Sequence, residues 1–132
     1  MLRLFIHLIG KMKTLILCIL ITLTFNVCYS QKEITPSKSK NYVGEHVIVT
    51  GKIVEVSESS IGNVFLYFDR KHPNNLLSIV VFASDREQVQ GDLRINWYDF
   101  VDATISVSGI IGTYNYKHEI ILRKAEQIVS ID

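Results

Sequence analysis

From His46 to Val56, "HVIVTGKIVEV", apolar residues alternate with polar ones and then change phase near Gly51. That is the pattern of one long half-buried strand that bulges or coils where a glycine permits it. Turn chemistry follows in "SESSIGN" (57–63). Two β-favouring apolar runs, 64–69 and 76–82, then flank a connector holding Pro73 and Asn74, which predicts a hairpin. Period two sets Val64, Leu66 and Phe68 against Phe65, Tyr67 and Asp69 in the first run, and Leu77, Ile79 and Val81 against Ser78, Val80 and Phe82 in the second. Between 83 and 100 charges become frequent while Val89, Leu93 and Trp97 recur every fourth position. This spacing predicts one or two helical turns and a loop, since Gly91 costs a longer helix about 1 kcal/mol. Alternation returns in "ATISVSGIIGTY" (103–114), a turn falls at 115–117, and "HEIILRKAEQIVSI" closes the chain as one or two strands.

The first 30 residues follow a different logic. Lys11 and Lys13 precede the unbroken apolar stretch "TLILCILITLTF", which ends near small and polar residues. This is the layout of a secretory signal peptide over residues 1–30. Cys28 and Ser30 are the small side chains a signal peptidase needs, so cleavage is expected after Ser30, and Met12 is an alternative start. The rival reading is a membrane anchor, but the apolar run after Lys13 is shorter than the ~20 residues a span needs. Cleavage would leave residues 31–132 with no membrane anchor, a length that suits one domain. Both cysteines, Cys18 and Cys28, would go with the leader, so the remaining chain would have neither disulfide nor thiolate. Arg3, Lys11 and Lys13 lie before the cut and all 13 acidic residues after it, which leaves a net charge of about −2. Attraction to nucleic acid or anionic lipid then requires a local basic patch. The expected compartment is periplasmic or secreted. Residues 31–41, "QKEITPSKSKN", read as a flexible N-terminal arm leading into a domain at 42–132.

Five strands with a helical connector between the third and fourth, the first long enough to bend through two sheets, predict an all-β five-stranded Greek-key barrel, the OB-fold. "YVGEHVIVTGKIVEV", "GNVFLYFD", "HPNNLLSIVVFASDRE", "VSGIIGTYNYKHEIIL" and "AEQI", in that order, resemble small secreted bacterial OB-fold domains and are similar to nucleic-acid-binding OB families of the tRNA and helicase type. The resemblance covers nearly all of Tyr42–Ile131. Tyr67 stands where that pattern has asparagine, Asp69 where it has glycine and His72 where it has tyrosine.

Read with that pattern, Leu66, Phe68, Leu77, Ile79 and Val81 are core, and Phe65, Tyr67, Ser78 and Val80 lie on the outer face that such barrels offer to oligonucleotides or oligosaccharides. Phe65 and Tyr67 beside Arg70, Lys71 and His72, with Tyr114, Tyr116, Lys117 and His118 from the second loop and Arg123 beyond it, are the candidate ligand-binding residues. Rings there would stack bases and cations would meet phosphates. The bland alternatives are that Phe65 and Tyr67 pack under a loop and that the cations are merely solvated turn residues, offset by Asp69 and Glu119. Trp97 reads as a plug at a barrel end. Catalysis has little to stand on. His46, His72 and His118 are scattered without ligand spacing, and Ser57, Ser59 and Ser60 lie in a turn without a nucleophile elbow. No catalytic residue, metal or cofactor is expected. The functional expectation is an exported, non-enzymatic module for single-stranded nucleic acid or another oligomeric anion. The alternatives are an envelope protein partner and a small ligand or cation.

Overall fold

The computed structural model describes residues 1–23 and 30–132, so Cys28 of the expected cleavage motif lies outside the described residues. The chain divides into two units, Met1–Ser30 and Gln31–Asp132. In the first, α1 (Leu2–Leu23) is a single helix, rich in Leu and free of Pro. Among the described residues no helix is long and apolar enough to cross a membrane.

The second unit contains β1 (Lys32–Ile34), β2 (His46–Glu58), β3 (Val64–Phe68), β4 (Ser78–Val81), α2 (Ala83–Leu93), β5 (Thr104–Tyr114), β6 (Lys117–Ile121) and β7 (Ile128–Ile131). Strands β2, β3, β4, β6 and β5 are successive neighbours, and β2 pairs with β5 to close the ring. All these pairs are antiparallel except β4 with β6. This is the expected five-stranded Greek-key barrel, with β1 added parallel to β2 and β7 added antiparallel to β5.

β2 makes the closure. Residues 46–52 pair with β5 and residues 53–58 with β3, and the register slips between Ile53 and Glu55. A bulge there increases the coil that carries one strand through both halves of the barrel. The bulge thus falls two residues beyond Gly51. Gly51 instead serves close approach, because a Cβ there would lie 2.7 Å from Pro36 Cγ and 2.9 Å from Phe68 Cδ1.

That contact shows why residues 31–41 are not a flexible arm. Ile34 belongs to the core, Pro36 and Ser39 are buried in a short 3₁₀ helix at Pro36–Asn41, and Lys32 Nζ stands 4.9 Å from the centre of the Tyr42 ring. Three lysines and a proline gave the segment a polar look. Its few apolar atoms nevertheless cover an otherwise open part of the β2 surface, and burial of that surface orders it.

The inward residues of the hairpin are as period two requires. Val64, Leu66, Phe68, Leu77, Ile79 and Val81 are all fully buried, together with Val49, Ile105, Val107, Ile111, Ile120 and Leu122. α2 runs longer than the expected one or two turns. Its Val89 enters the core, Leu93 packs against it, and Trp97 and Phe100 follow from a 3₁₀ turn with ring centres 6.1 Å apart. Burial of that four-spaced row offsets the cost of Gly91. A bidentate pair holds the helix to β2: Arg86 donates to Glu58 Oε1 at 2.7 Å and to Oε2 at 3.1 Å.

Two glycines separate packing from propensity. A Cβ on Gly109 would meet Ile120 Cγ2 at 2.5 Å, whereas one on Gly91 would meet nothing within 4 Å. Gly109→Ala is expected to lower unfolding free energy by about 1–3 kcal/mol. Gly91→Ala is expected to raise it by about 0.5–1 kcal/mol. Urea titration of the two variants measures both signs, and equal effects would contradict this packing.

Candidate functional site

The outer face of β3, β4 and β6 carries the site, and register builds it. Tyr67 pairs with Ser78 across β3 and β4, and Ser78 pairs with Glu119 across β4 and β6; one step along, Phe65, Val80 and Ile121 form the parallel row. Strands are about 4.8 Å apart, so Tyr67 and Glu119 are separated by about 10 Å with the small Ser78 between them. Beyond Glu119 the next strand offers Gly112, which has no side chain. The floor between Tyr67 and Glu119 is therefore low.

Two loops raise the walls. In the β3–β4 loop, His72 N–H donates to Glu55 Oε1 at 3.3 Å, and the His72 ring lies over Tyr67 at 5.3 Å. The β5–β6 turn has only Asn115 and Tyr116 between the paired residues Tyr114 and Lys117, and both have positive φ, 47° and 62°. This is the geometry of a two-residue type I′ hairpin. Asn tolerates it, but a tyrosine there costs about 1–2 kcal/mol. Lys117 Nζ donates to the Pro73 carbonyl and so ties one loop to the other.

The result is a cleft of about 330 Å³ lined by Phe65, Tyr67, His72, Tyr114, Lys117 and Glu119 among others. A second cleft of about 270 Å³ shares Phe65, Val80, Tyr114 and Glu119 with it and continues to Asn63 and Phe82. Together they form one groove with a ring on nearly every wall. Phe65 and Tyr67 are near-parallel, 5° between planes, with centres 6.3 Å apart.

The expected site residues fare differently. Phe65, Tyr67, His72, Tyr114 and Lys117 converge on the cleft. Phe65 is half-buried, while Tyr67 is only 7% exposed, so it is not the open platform the alternation implied. It does lie on the outer side of the sheet, but His72 covers it and its hydroxyl is 3.0 Å from Ser57 Oγ. Arg70 and Lys71 are exposed in the β3–β4 loop and do not line the cleft. Tyr116 is 100% exposed at the turn tip, and Tyr114 is 65% exposed at the groove wall. Arg123 sits elsewhere, 5.7 Å from the Phe82 ring centre and 3.9 Å from Asp85, at the Phe82 end of the groove. Val80, expected outside, is almost fully covered at the groove floor.

Sequence reasoning missed Asn75 and gave Glu119 only the role of offsetting nearby lysines. The signal for Glu119 was available, because alternation in β6 puts it on the face opposite Ile120. Asn75 is 5% exposed; its Nδ2 donates to Ser78 Oγ at 2.7 Å and its Oδ1 has no hydrogen-bond partner. Burial pushes the Glu119 carboxyl above the ordinary carboxylate range. Among the described residues, no group of three or more His, Cys, Asp or Glu is placed to hold a metal ion.

Comparison with known proteins agrees with this topology. An OBody, AM1L10, solved bound to hen egg-white lysozyme, superposes with TM-score 0.51 at 12% identity over 81% of this chain and 95% of its own. OBody AM3L15, also bound to hen egg-white lysozyme, gives 0.50 at 10% identity over 77% and 92%. The fold is an OB-fold. A protein assigned as an aspartyl-tRNA synthetase from Leishmania major Friedlin gives 0.49 at 12% identity over 76% of this chain, which spans 21% of that protein. No family model and no curated protein matches the sequence.

The Glu119 shift makes a prediction about stability. The folded protein holds this proton more tightly than the unfolded chain, so the stability that protonation supplies is present at acid pH. It is lost as pH rises from the ordinary glutamate range through the higher folded value. Glu119→Gln, which cannot ionise, is expected to match the parent at low pH and exceed its melting temperature near neutrality. Thermal melts of both proteins across that range decide it, and a variant less stable at neutral pH would contradict the burial of an ionised group.

Proposed function

We propose that the domain is a non-enzymatic binding module that takes single-stranded nucleic acid along the β3–β4–β6 groove. The observation behind this reading is the distribution of chemistry across the groove: rings on the walls, a carboxylate on the floor and cations only at the rim. An oligomeric anion laid on the floor would meet Glu119. A nucleic acid strand separates its parts, so its bases can stack on Phe65, Tyr114 and His72 while its phosphates stay at the rim near Lys117, Arg70 and Lys71. That asymmetry favours nucleic acid over a uniformly charged polysaccharide. The clefts of about 330 and 270 Å³ share four lining residues, and this continuity suits adjacent bases.

A second reading, contact with a protein partner, is favoured by Tyr116, fully exposed at the tip of a strained turn. A protruding aromatic ring is a common anchor in protein interfaces, and the two OBodies are seen bound to lysozyme. The domain is also proposed to act outside the cytosol, in the periplasm or the medium, after cleavage behind Ser30. The basic and apolar leader pattern supports this, as does the separation of Met1–Ser30 as its own unit. The mass of the protein recovered from an expressing cell should then match residues 31–132.

Fluorescence anisotropy with a labelled random single strand, at low and moderate salt, tests the binding reading. Affinity is expected to fall with salt. Tyr114→Ala should weaken binding by about 1–3 kcal/mol, and Lys117→Ala should reduce the salt slope by about 1. Absence of binding at low salt, with stoichiometric capture of an envelope protein that Tyr116→Ala abolishes, would replace this reading with the second.

A further inference from the structure

We propose that the floor of the groove selects guanine, with the Glu119 carboxylate accepting hydrogen bonds from the base's N1–H and N2–H₂; this rests on the nucleic-acid reading above. The Tyr67–Ser78–Glu119 row supplies the geometry. A base laid over the small Ser78 side chain, near Tyr67 and His72, turns one edge toward β6, where Glu119 stands. Glu119 is within the cleft, and its carboxylate makes no hydrogen bond or ion pair to any described residue. Lys117, two residues away, is committed to the Pro73 carbonyl. The carboxylate thus keeps its acceptor capacity for a ligand.

The polarity of the floor decides which base it fits. The charged acceptor lining the cleft is the Glu119 carboxylate, while the Asn75 Oδ1 is buried and without a donor among the described residues. Asn75 Nδ2 gives one of its two hydrogens to Ser78 Oγ, and Glu119 is the one carboxylate among the residues lining the cleft. A carboxylate, which only accepts, takes a base edge that presents donors. Guanine alone among the common bases presents two adjacent N–H donors on its Watson–Crick edge, spaced for the two oxygens of one carboxylate. Thymine and uracil turn carbonyl oxygens on either side of their single N–H toward the same carboxylate. Adenine and cytosine each offer one exocyclic amine beside a ring acceptor. Glu119 is also half-buried, so water competes less for those bonds.

The discriminating experiment changes the ligand as well as the protein. Anisotropy is measured on the full chain near neutral pH with short thymidine tracts carrying one central dG, 7-deaza-dG, dI or dT, and with GMP as competitor. The dG strand is expected to bind about tenfold more tightly than dT, because one bidentate pair discriminates by this order. 7-Deaza-dG should equal dG, since only N7 changes. dI, which lacks the N2 amine, should fall between dG and dT. GMP, which leaves the second cleft and the rim unused, should compete at least tenfold less well than the dG strand. In E119Q the preference for dG should vanish while the dT tract binds as before or more tightly, with a melting temperature no lower than the parent's.

Equal binding of dG, dI and dT by the parent protein would overturn guanine selection and leave the nucleic-acid reading standing. Retention of the dG preference in E119Q would remove Glu119 as its reader. If no strand binds the parent at low salt, the nucleic-acid reading itself has failed. GMP equal to the dG strand would overturn strand recognition in favour of a free nucleotide.

Discussion

Everything in this domain depends on one strand belonging to two sheets. β2 gives its first seven residues to β5 and its remainder to β3, and only the slip between Ile53 and Glu55 lets the backbone turn between these duties. Without the slip, the curvature needed for closure would fall on β3 and β4, which are too short to supply it. With it, the barrel closes on a single layer of Val, Ile, Leu and Phe, and no edge remains among its five strands. Gly51 completes the arrangement by admitting Pro36 and Phe68 to its two sides, so the residues before the barrel are held to the same strand that closes it.

Closure also determines where function can be placed. The inner face is lined by fully buried apolar side chains, so a ligand is met on the outside. Beside β2 and β5 the sheet is extended by the added strands β1 and β7. On the β3–β4–β6 side the flanking loops rise instead as walls, pinned by His72 N–H to Glu55 and by Lys117 to Pro73. The groove is therefore the space left when two loops are tied together over a sheet whose outward side chains are alternately large and small. Phe65, Tyr67 and Tyr114 are positioned by strands and only His72 by a loop, which favours a precise site.

How much of this was legible depended on the range of the signal. Alternation identified the inward residues of the hairpin and four-residue spacing identified Val89, Leu93 and Trp97, because both patterns are carried within one element. The fate of residues 31–41 was not legible, because what orders them is a hole on β2 that only the folded barrel has. Tyr67 shows the limit at the site. Period two placed it correctly on the outer side, yet outward is not exposed, and the His72 that covers it belongs to a loop whose path the pattern cannot give. Alternation also put Glu119 on the outward face of β6, but its meaning comes from Ser78 and Tyr67, in the same row across two strands and separated from it by some 40 to 50 positions in sequence.

The groove is where the domain departs from its own stability optimum. Tyr116 adopts a left-handed backbone conformation that a glycine would adopt at lower cost, and does so with its ring wholly in water. Asn75 buries an oxygen that nothing satisfies, and Glu119 holds a carboxyl where burial opposes its ionisation. Each is a cost that substitution by glycine, an apolar residue or glutamine would remove, and none of the three side chains belongs to the hydrophobic core. A fold under selection for stability alone has no reason to collect such costs in one cleft and the turn beside it. A cleft that must leave a carboxylate free, beside an exposed ring, for something else to engage has that reason, and under the proposed reading that something is a base, with a flat face for the rings and an edge of donors for Glu119.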